Sequence, residues 1–403
     1  MRRPIEVLAG LGLALAIAAG PAQAGGLYIN EFATPSMGTA GAGAQSMALD
    51  ASTALHNPAG MTRLEGHQLL GGFGFVVSDI QFDPDALTPV PGNDGGQQGG
   101  FAPIAGLFYV HSLSDRLKLG ADFNAISGAV LDPDNNWAGR LQMQEVSILV
   151  LELGLEVGYQ VTDWLSVGIG PRFQYSVLDF TTSTPPGIQI NFDQIDDFLV
   201  TWKAGLLVEF SERTRFGVQF LDKSEPDLDG DIKFRPTPIT ASVNTKLTLP
   251  RLVRGSLYHE FNDQWALMAT VGWEQWSDFA DQYVSVGRAS GSLPRNFDDT
   301  YFFGLGVHFR PVDRWLLTAG AAYDTNPVSQ QDRTADMPLD RQIRASVGAF
   351  YDYSDTLQVG AAFVYADYGR APISSSTLRG DYDKQDLYFF NVMFNWKKTP
   401  WSD

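Results

Sequence analysis

Five histidines, His56, His67, His111, His259 and His308, are the side chains best suited to acid–base chemistry near neutral pH, yet they are scattered. None has a nucleophile or a metal-ligand spacing beside it. The chain has no cysteine, which removes thiol nucleophiles, thiolate metal sites and disulfides. Asp227, Asp229 and Asp231 alternate like the first ligands of a calcium loop, but the remainder of such a loop is missing, so they read as solvated acids. No catalytic residue, cofactor or metal is expected, and the chain reads as a non-enzyme. More telling are Ile188, Ile190, Phe192, Ile195 and Ile239, apolar residues in otherwise polar, proline-bearing stretches. They could capture an oily molecule or fold inward to pack their own loops. Arg172, Lys203 and Arg344 could receive a carboxylate if they face a common interior.

The elements that must position these residues are strands. Six polar turns recur at Ser114-Asp115, Thr162-Asp163, Ser211-Glu212, Asn262-Asp263, Val312-Asp313 and Ser354-Asp355, their acidic residues 48, 49, 51, 50 and 42 positions apart. Longer connections alternate with them, at 80–100, 129–143, 182–197, 225–246, 277–298, 325–340 and 369–384. Thirteen connections imply fourteen antiparallel strands. Short turns at one rim and long loops at the other are the plan of a transmembrane β-barrel. After Asp163, Leu165, Val167, Ile169, Phe173, Tyr175 and Val177 share one face, against Ser166, Gly168, Gly170, Arg172, Gln174 and Ser176. An apolar outside and a polar inside suit lipid around a hollow interior. Trp164, Trp265, Trp315 and Tyr353 beside the turns mark an interfacial girdle. By strand parity Arg172, Lys203 and Arg344 face inward, but so do Glu209 and Asp352, which favours wall salt bridges over carboxylate capture.

Composition agrees. In 403 residues, 28 Lys and Arg stand against 46 Asp and Glu, a net charge of −18 that repels phosphate backbones and excludes nucleic acid as a partner. Arg2 and Arg3, an apolar run over residues 7–19 and Ala22-Gln23-Ala24 form a secretory signal peptide, residues 1–24. Beyond it no apolar run is long enough for a transmembrane helix. Residues 25–65 break the strand pattern: Gly38, Ala40, Gly41, Ala42, Gly43 and Ala44 are small enough to thread a confined space, and Pro58 fixes a turn. A fourteen-stranded wall encloses more room than its inward side chains fill, so this segment is the expected plug, with the barrel over 66–398.

The chain resembles the FadL family of outer-membrane transporters for long-chain fatty acids and other hydrophobic molecules. The likeness rests on Asn30-Glu31-Phe32, the Gly38 to Gly43 run, Asp50-Ala51-Ser52 and Asn57-Pro58-Ala59. It continues in Ala322-Tyr323-Asp324-Thr325-Asn326-Pro327, Arg333, Pro338, Asp340-Arg341 and Ser346-Val347-Gly348. The resemblance implies an all-β barrel of fourteen antiparallel strands in the bacterial outer membrane, closed by an N-terminal hatch that includes Asn30, Glu31, Asn57, Pro58 and Ala59. It implies an N-terminal arm with Leu27 and Phe32 in the ligand pocket. It also implies a kinked third strand that opens the wall sideways near Ala125, Ile126, Ser127 and Gly128.

Uptake of a fatty acid, hydrocarbon or aromatic is the function these features imply, by a monomer set among outer-membrane lipid and lipopolysaccharide. Family members that bind fatty acids surround the head group with basic residues, whereas here no cation follows Tyr175 before Lys203, so a neutral hydrocarbon or aromatic competes with a fatty acid. Phe394 and Trp396 precede the C-terminus rather than end it, a departure from the aromatic last residue usual in such barrels. The rival readings are a porin for small polar solutes, which would leave its bore open, and an outer-membrane lipid hydrolase, which the scattered histidines do not support.

Overall fold

A computed structural model describes residues 32–398 except Pro186. The signal peptide, Leu27, Asn30 and Glu31 lie outside the described residues. Alternating side chains make nineteen strands. They begin with β1 (His67–Pro84), β2 (Phe101–Ser112), β3 (Leu117–Leu131), β4 (Glu145–Thr162), β5 (Leu165–Thr184), β6 (Ile188–Ser211) and β7 (Thr214–Leu221). Next come β8 (Asp227–Arg235), β9 (Ile239–Lys246), β10 (Leu252–Glu260), β11 (Trp265–Glu274), β12 (Asp281–Val286) and β13 (Ala289–Pro294). The last are β14 (Thr300–Phe309), β15 (Trp315–Asp324), β16 (Gln342–Ser354), β17 (Leu357–Asp367), β18 (Ile373–Ser374) and β19 (Arg379–Lys398).

Fourteen of these form the wall, each antiparallel to its neighbours, and β8, β9, β12, β13 and β18 belong to the long connections. The ring closes where β1 pairs with β19 from His67–Lys398 to Pro84–Gly380. Closure matters because hydrocarbon offers no partner to an exposed N–H or C=O, so an open sheet edge is not tolerated in lipid. Along β5 the faces separate as the alternation requires: Val167, Ile169 and Tyr175 are exposed, while Ser166, Arg172, Gln174 and Ser176 are buried. Trp164, Trp265, Trp315 and Tyr353 stand exposed at the rim with the tight turns.

The third long connection is shorter than the expected 182–197. Strands β5 and β6 continue as a hairpin, pairing Phe180 with Phe192 and Thr184 with Ile188, and Gly187 at φ 107° supports the turn. Alternating Thr, Ile and Phe satisfied the ladder, and proline was confined to the tip. Strands β8 and β9 add a second hairpin against β6 through Ile190–Phe234 and Phe192–Ile232, and β12 extends it through Val284–Thr245. The remaining loops are tied across the same rim. Arg333 donates to the carbonyls of Leu339, Val328 and Pro372, and Arg295 holds Asp336 at 2.7 Å.

Residues 32–66 lie within the ring as four short helical turns, Pro35–Thr39, Ala44–Met47, Thr53–His56 and Pro58–Arg63, each too short to be stable alone. They touch β2–β7, β10 and β14–β17 around nearly the whole circumference. The approach is close enough that two wall glycines are obligatory. A Cβ on Gly217 would stand 1.9 Å from the Gln45 carbonyl oxygen, and one on Gly205 would stand 2.0 Å from Asn57 Oδ1. Asn57 is fully buried and donates to the Gln45 and Leu206 carbonyls at 2.7 and 3.0 Å, while its oxygen accepts the Ala59 N–H.

Gly217→Ala is therefore expected to cost about 1–3 kcal/mol, the usual penalty of overpacking, measured by urea unfolding of detergent-solubilised barrel. Gly291→Ala, where a Cβ meets open space, is the matched control and should change nothing. A second expectation concerns the rim. Burial alone would raise the Asp336 carboxyl, but Arg295 and the hydrogen bonds around it hold it below the ordinary carboxylate value. A depressed folded pKa stabilises the contact above the unfolded value and loses that contribution as pH falls through the folded one. Proteolysis of segment 325–341 should thus stay slow on mild acidification and rise only below the usual carboxylate range, whereas D336N should be cut readily at neutral pH.

Candidate functional site

The wall is incomplete at one place. Strand β2 pairs with β3 only from Ser112–Lys118 to Gly106–Asn124. Beyond that point Phe101 to Ala105 pair with β1 alone, and the continuation of β3 pairs with β4 alone. The cause is a bulge: Ala125 opposes Leu151 and Ser127 opposes Val150, leaving Ile126 extra. An extra residue bends its strand and sharpens the twist, carrying β3 away from β2. The alternation of burial breaks in step, with Ile126, Ser127 and Gly128 buried in succession. The five unpaired residues of β2 correspond to about 17 Å of strand.

The first described residue of the chain reaches the edge of this gap. A Cβ on Gly106, the last residue of β2 paired to β3, would lie 2.7 Å from the Phe32 carbonyl oxygen, and one on Gly72 of β1 would lie 2.1 Å from that of Ala33. Phe32 is held from within the plug: its ring lies 6.0 Å from that of His56, whose Nε2 meets Thr34 Oγ1 at 3.1 Å and Ser36 Oγ at 3.3 Å. His56, one of the five scattered histidines, is thus a packed and hydrogen-bonded residue of this inner segment.

Above Phe32 lies an apolar cluster that includes Ile126 and Leu131 of β3, Ile195 of β6, and Trp137, Trp276, Phe279 and Phe297 from the long connections. Ile190, Phe192 and Phe32 pack at its margin. Of the residues expected to capture ligand, Ile195 is fully buried in this cluster, and Ile190 and Phe192 are half-buried, with Phe192 edge-on to Phe180 at 5.4 Å. Ile188 is half-buried at the start of β6, and Ile239 is 58% exposed at the tip of the second hairpin, so the structure does not bring Ile239 to the others. The loop aromatics Trp137, Trp276, Phe279 and Phe297 were missed, although the same signal marked them: large apolar residues within polar connections.

The inward cations are spoken for. Arg172 meets Glu152 at 2.8 Å, and Lys203 meets Asp122 at 2.5 Å and Glu156 at 2.8 Å, all essentially buried. Arg344 pairs with Asp324, and Arg254 with Glu274 at 2.5 Å. Glu209, also inward by parity, reaches into the plug and pairs with Arg63. Removing one partner of a buried pair leaves an uncompensated charge, so these pairs resist recruitment by a ligand. Parity located the charged face; the partners Asp122, Glu152 and Glu156 went unlisted because they lie on other strands.

The profile of the family described as outer membrane protein transport protein (OMPP1/FadL/TodX) matches residues 15–391. A long-chain fatty acid transport protein of Escherichia coli O6:H1 is 24% identical over 405 residues, covering 88% of this chain and 90% of its own. Outer membrane protein P1 of Haemophilus influenzae is 24% identical, with 88% of each chain covered. Among solved structures, a Pseudomonas aeruginosa FadL homologue superposes with a TM-score of 0.84 at 21% identity, over 92% of this chain and 99% of that one. The Ralstonia pickettii toluene transporter TbuX gives 0.70 at 19% identity, over 92% and 100%. A match running nearly the length of the chain, on a closed fourteen-stranded barrel with a lipid-facing belt, places the protein in the outer membrane as a member of the OMPP1/FadL/TodX transport family, whose relatives carry fatty acids and other hydrophobic compounds.

Proposed function

We propose that the protein takes up neutral or weakly polar hydrophobic molecules from outside the cell and releases them sideways into the bilayer through the gap between β2 and β3. The carrying observation is that one apolar cluster joins the loop residues Ile190 and Phe192 to Ile126 in the bulge and Phe32 beside the gap. A hydrophobic solute partitions poorly through charged lipopolysaccharide and gains nothing from a water-filled pore. Contact with apolar side chains contributes about 0.8 kcal/mol per buried CH₂, so such a path needs no polar anchor. The ion pairing of Arg172, Lys203 and Arg344 supports a neutral cargo over a carboxylate. The toluene transporters among the structural neighbours make an aromatic cargo chemically reasonable.

In this reading residues 25–65 act as the hatch. Phe32 and Leu27 form the arm that cargo displaces, Asn30 and Glu31 lie on that arm, and Asn57, Pro58 and Ala59 anchor it. The ring closes on itself through β1 and β19, so the barrel needs no second chain to complete it, which supports function as a monomer.

Deleting Ile126 removes the extra residue and should let β3 continue its pairing with β2. Uptake of a labelled monoaromatic or alkane by cells is then expected to fall about tenfold or more, with the barrel still folded by its electrophoretic shift on heating. Undiminished uptake would exclude lateral release at this gap. The plug is tested separately in planar bilayers: native protein should pass no large steady ion current, and Asn57→Ala should raise conductance by freeing the turns it ties to β6. Large currents through the native protein would favour the porin instead.

A further inference from the structure

Three heteroatoms converge on the lipid-facing side of the barrel at the opposite end of β1 and β2 from the gap. His67 opposes His111 across the two strands, and Tyr109 lies opposite Leu69 on the same outward face. The two Nδ1 atoms are 2.8 Å apart, and the Tyr109 phenol oxygen is 3.2 Å from one and 3.3 Å from the other. The imidazole rings lie 4.4 Å apart and are half-buried. This is a nearly equilateral triangle of Lewis-basic atoms.

Its size is the informative quantity. A tetrahedral ion with metal–nitrogen bonds of about 2.0 Å sets its ligand atoms about 3.3 Å apart. The triangle therefore matches one face of such a coordination shell with shifts of a few tenths of an ångström. Without an ion, the two Nδ1 atoms can share a single proton in one hydrogen bond, with the phenol beside them. We propose that His67, His111 and Tyr109 bind a borderline divalent transition-metal ion such as zinc, with its fourth position open. The site sits where β1 starts and β2 ends, next to the tight turn at Ser114-Asp115, level with the aromatic girdle. There the open position faces water and lipid phosphate, and an ion bound there bridges the two strands. Each imidazole keeps its proton on Nε2, and a phenol bound as phenolate releases one. The flanking residues are Lys398 opposite His67 on β19 and Leu119 opposite His111 on β3. Lys398 lies on the neighbouring strand at the same level, and its side chain is exposed.

The test uses the processed full chain, purified in detergent without a histidine tag, and cobalt(II) as the probe. Binding of one equivalent with the visible absorption of a tetrahedral nitrogen–oxygen site, abolished by zinc, is the expected result. The double variant H67A/H111A should lose the signal while keeping its electrophoretic heat shift, and Y109F should weaken affinity by about tenfold. No tetrahedral spectrum in the native protein, or an unchanged one in the double variant, overturns the site. Unchanged affinity in Y109F removes the phenol from it.

Discussion

Main-chain hydrogen bonding in a medium without water governs this protein. Hydrocarbon satisfies no N–H or C=O, so a chain that crosses it as strands must pair every one of them and return to its starting edge. The β1–β19 ladder makes that closure over almost the whole length of both strands. The same constraint gives the stretch between β2 and β3 its meaning. Peptide groups of Phe101 to Ala105 and of the upper part of β3 lack each other as partners, and such a break is tolerated only where protein or a lined cavity takes over. Here the covering is the apolar cluster and the plug, with Phe32 and Ile126 at the boundary.

The interior solves a different problem. A ring of fourteen strands holds polar side chains that face neither lipid nor bulk water, and its buried charges are met by opposite charges or, for Arg215, by the Ser46 and Met47 carbonyls. Lys203 is shared among carboxylates from β3 and β4, Arg172 reaches across to β4, and Arg63 of the plug takes Glu209 of β6. Such pairs contribute little net stability, since desolvation offsets attraction. Their effect is geometric: Arg63–Glu209 ties residues 32–66 to the wall, and the other pairs join wall strands to one another. Glycine does the complementary work, removing side chains from β6 and β7 where Asn57 and Gln45 approach.

Polar base and apolar roof thus occupy different levels of the barrel. Residues 32–66 pack against nearly every wall strand, and Ile190, Phe192, Ile195 and the loop aromatics gather in one apolar cluster. That cluster draws residues from all of the long connections, which the β5–β6, β8–β9 and β12–β13 extensions help to bring together.

Local chemistry determined much of this from the sequence alone. Strand number, the position of all six tight turns, the outward face of β5 and the inward aim of Arg172, Lys203 and Arg344 follow from alternation with a period of two and from turn residues, which act over a few positions. Partnership was decided elsewhere. Parity tells which face a cation takes but not that Asp122, some eighty residues away, will meet Lys203. The extension of β5 and β6 as far as Pro185 rests on their mutual register and on β8 pairing along the other edge of β6. The bulge at Ile126 exists only as a mismatch of register with β4, and the meeting of His67 with His111 only as a register with β2. Register is a relation between strands distant in sequence, set by closing the whole ring, and no single stretch of the chain contains it.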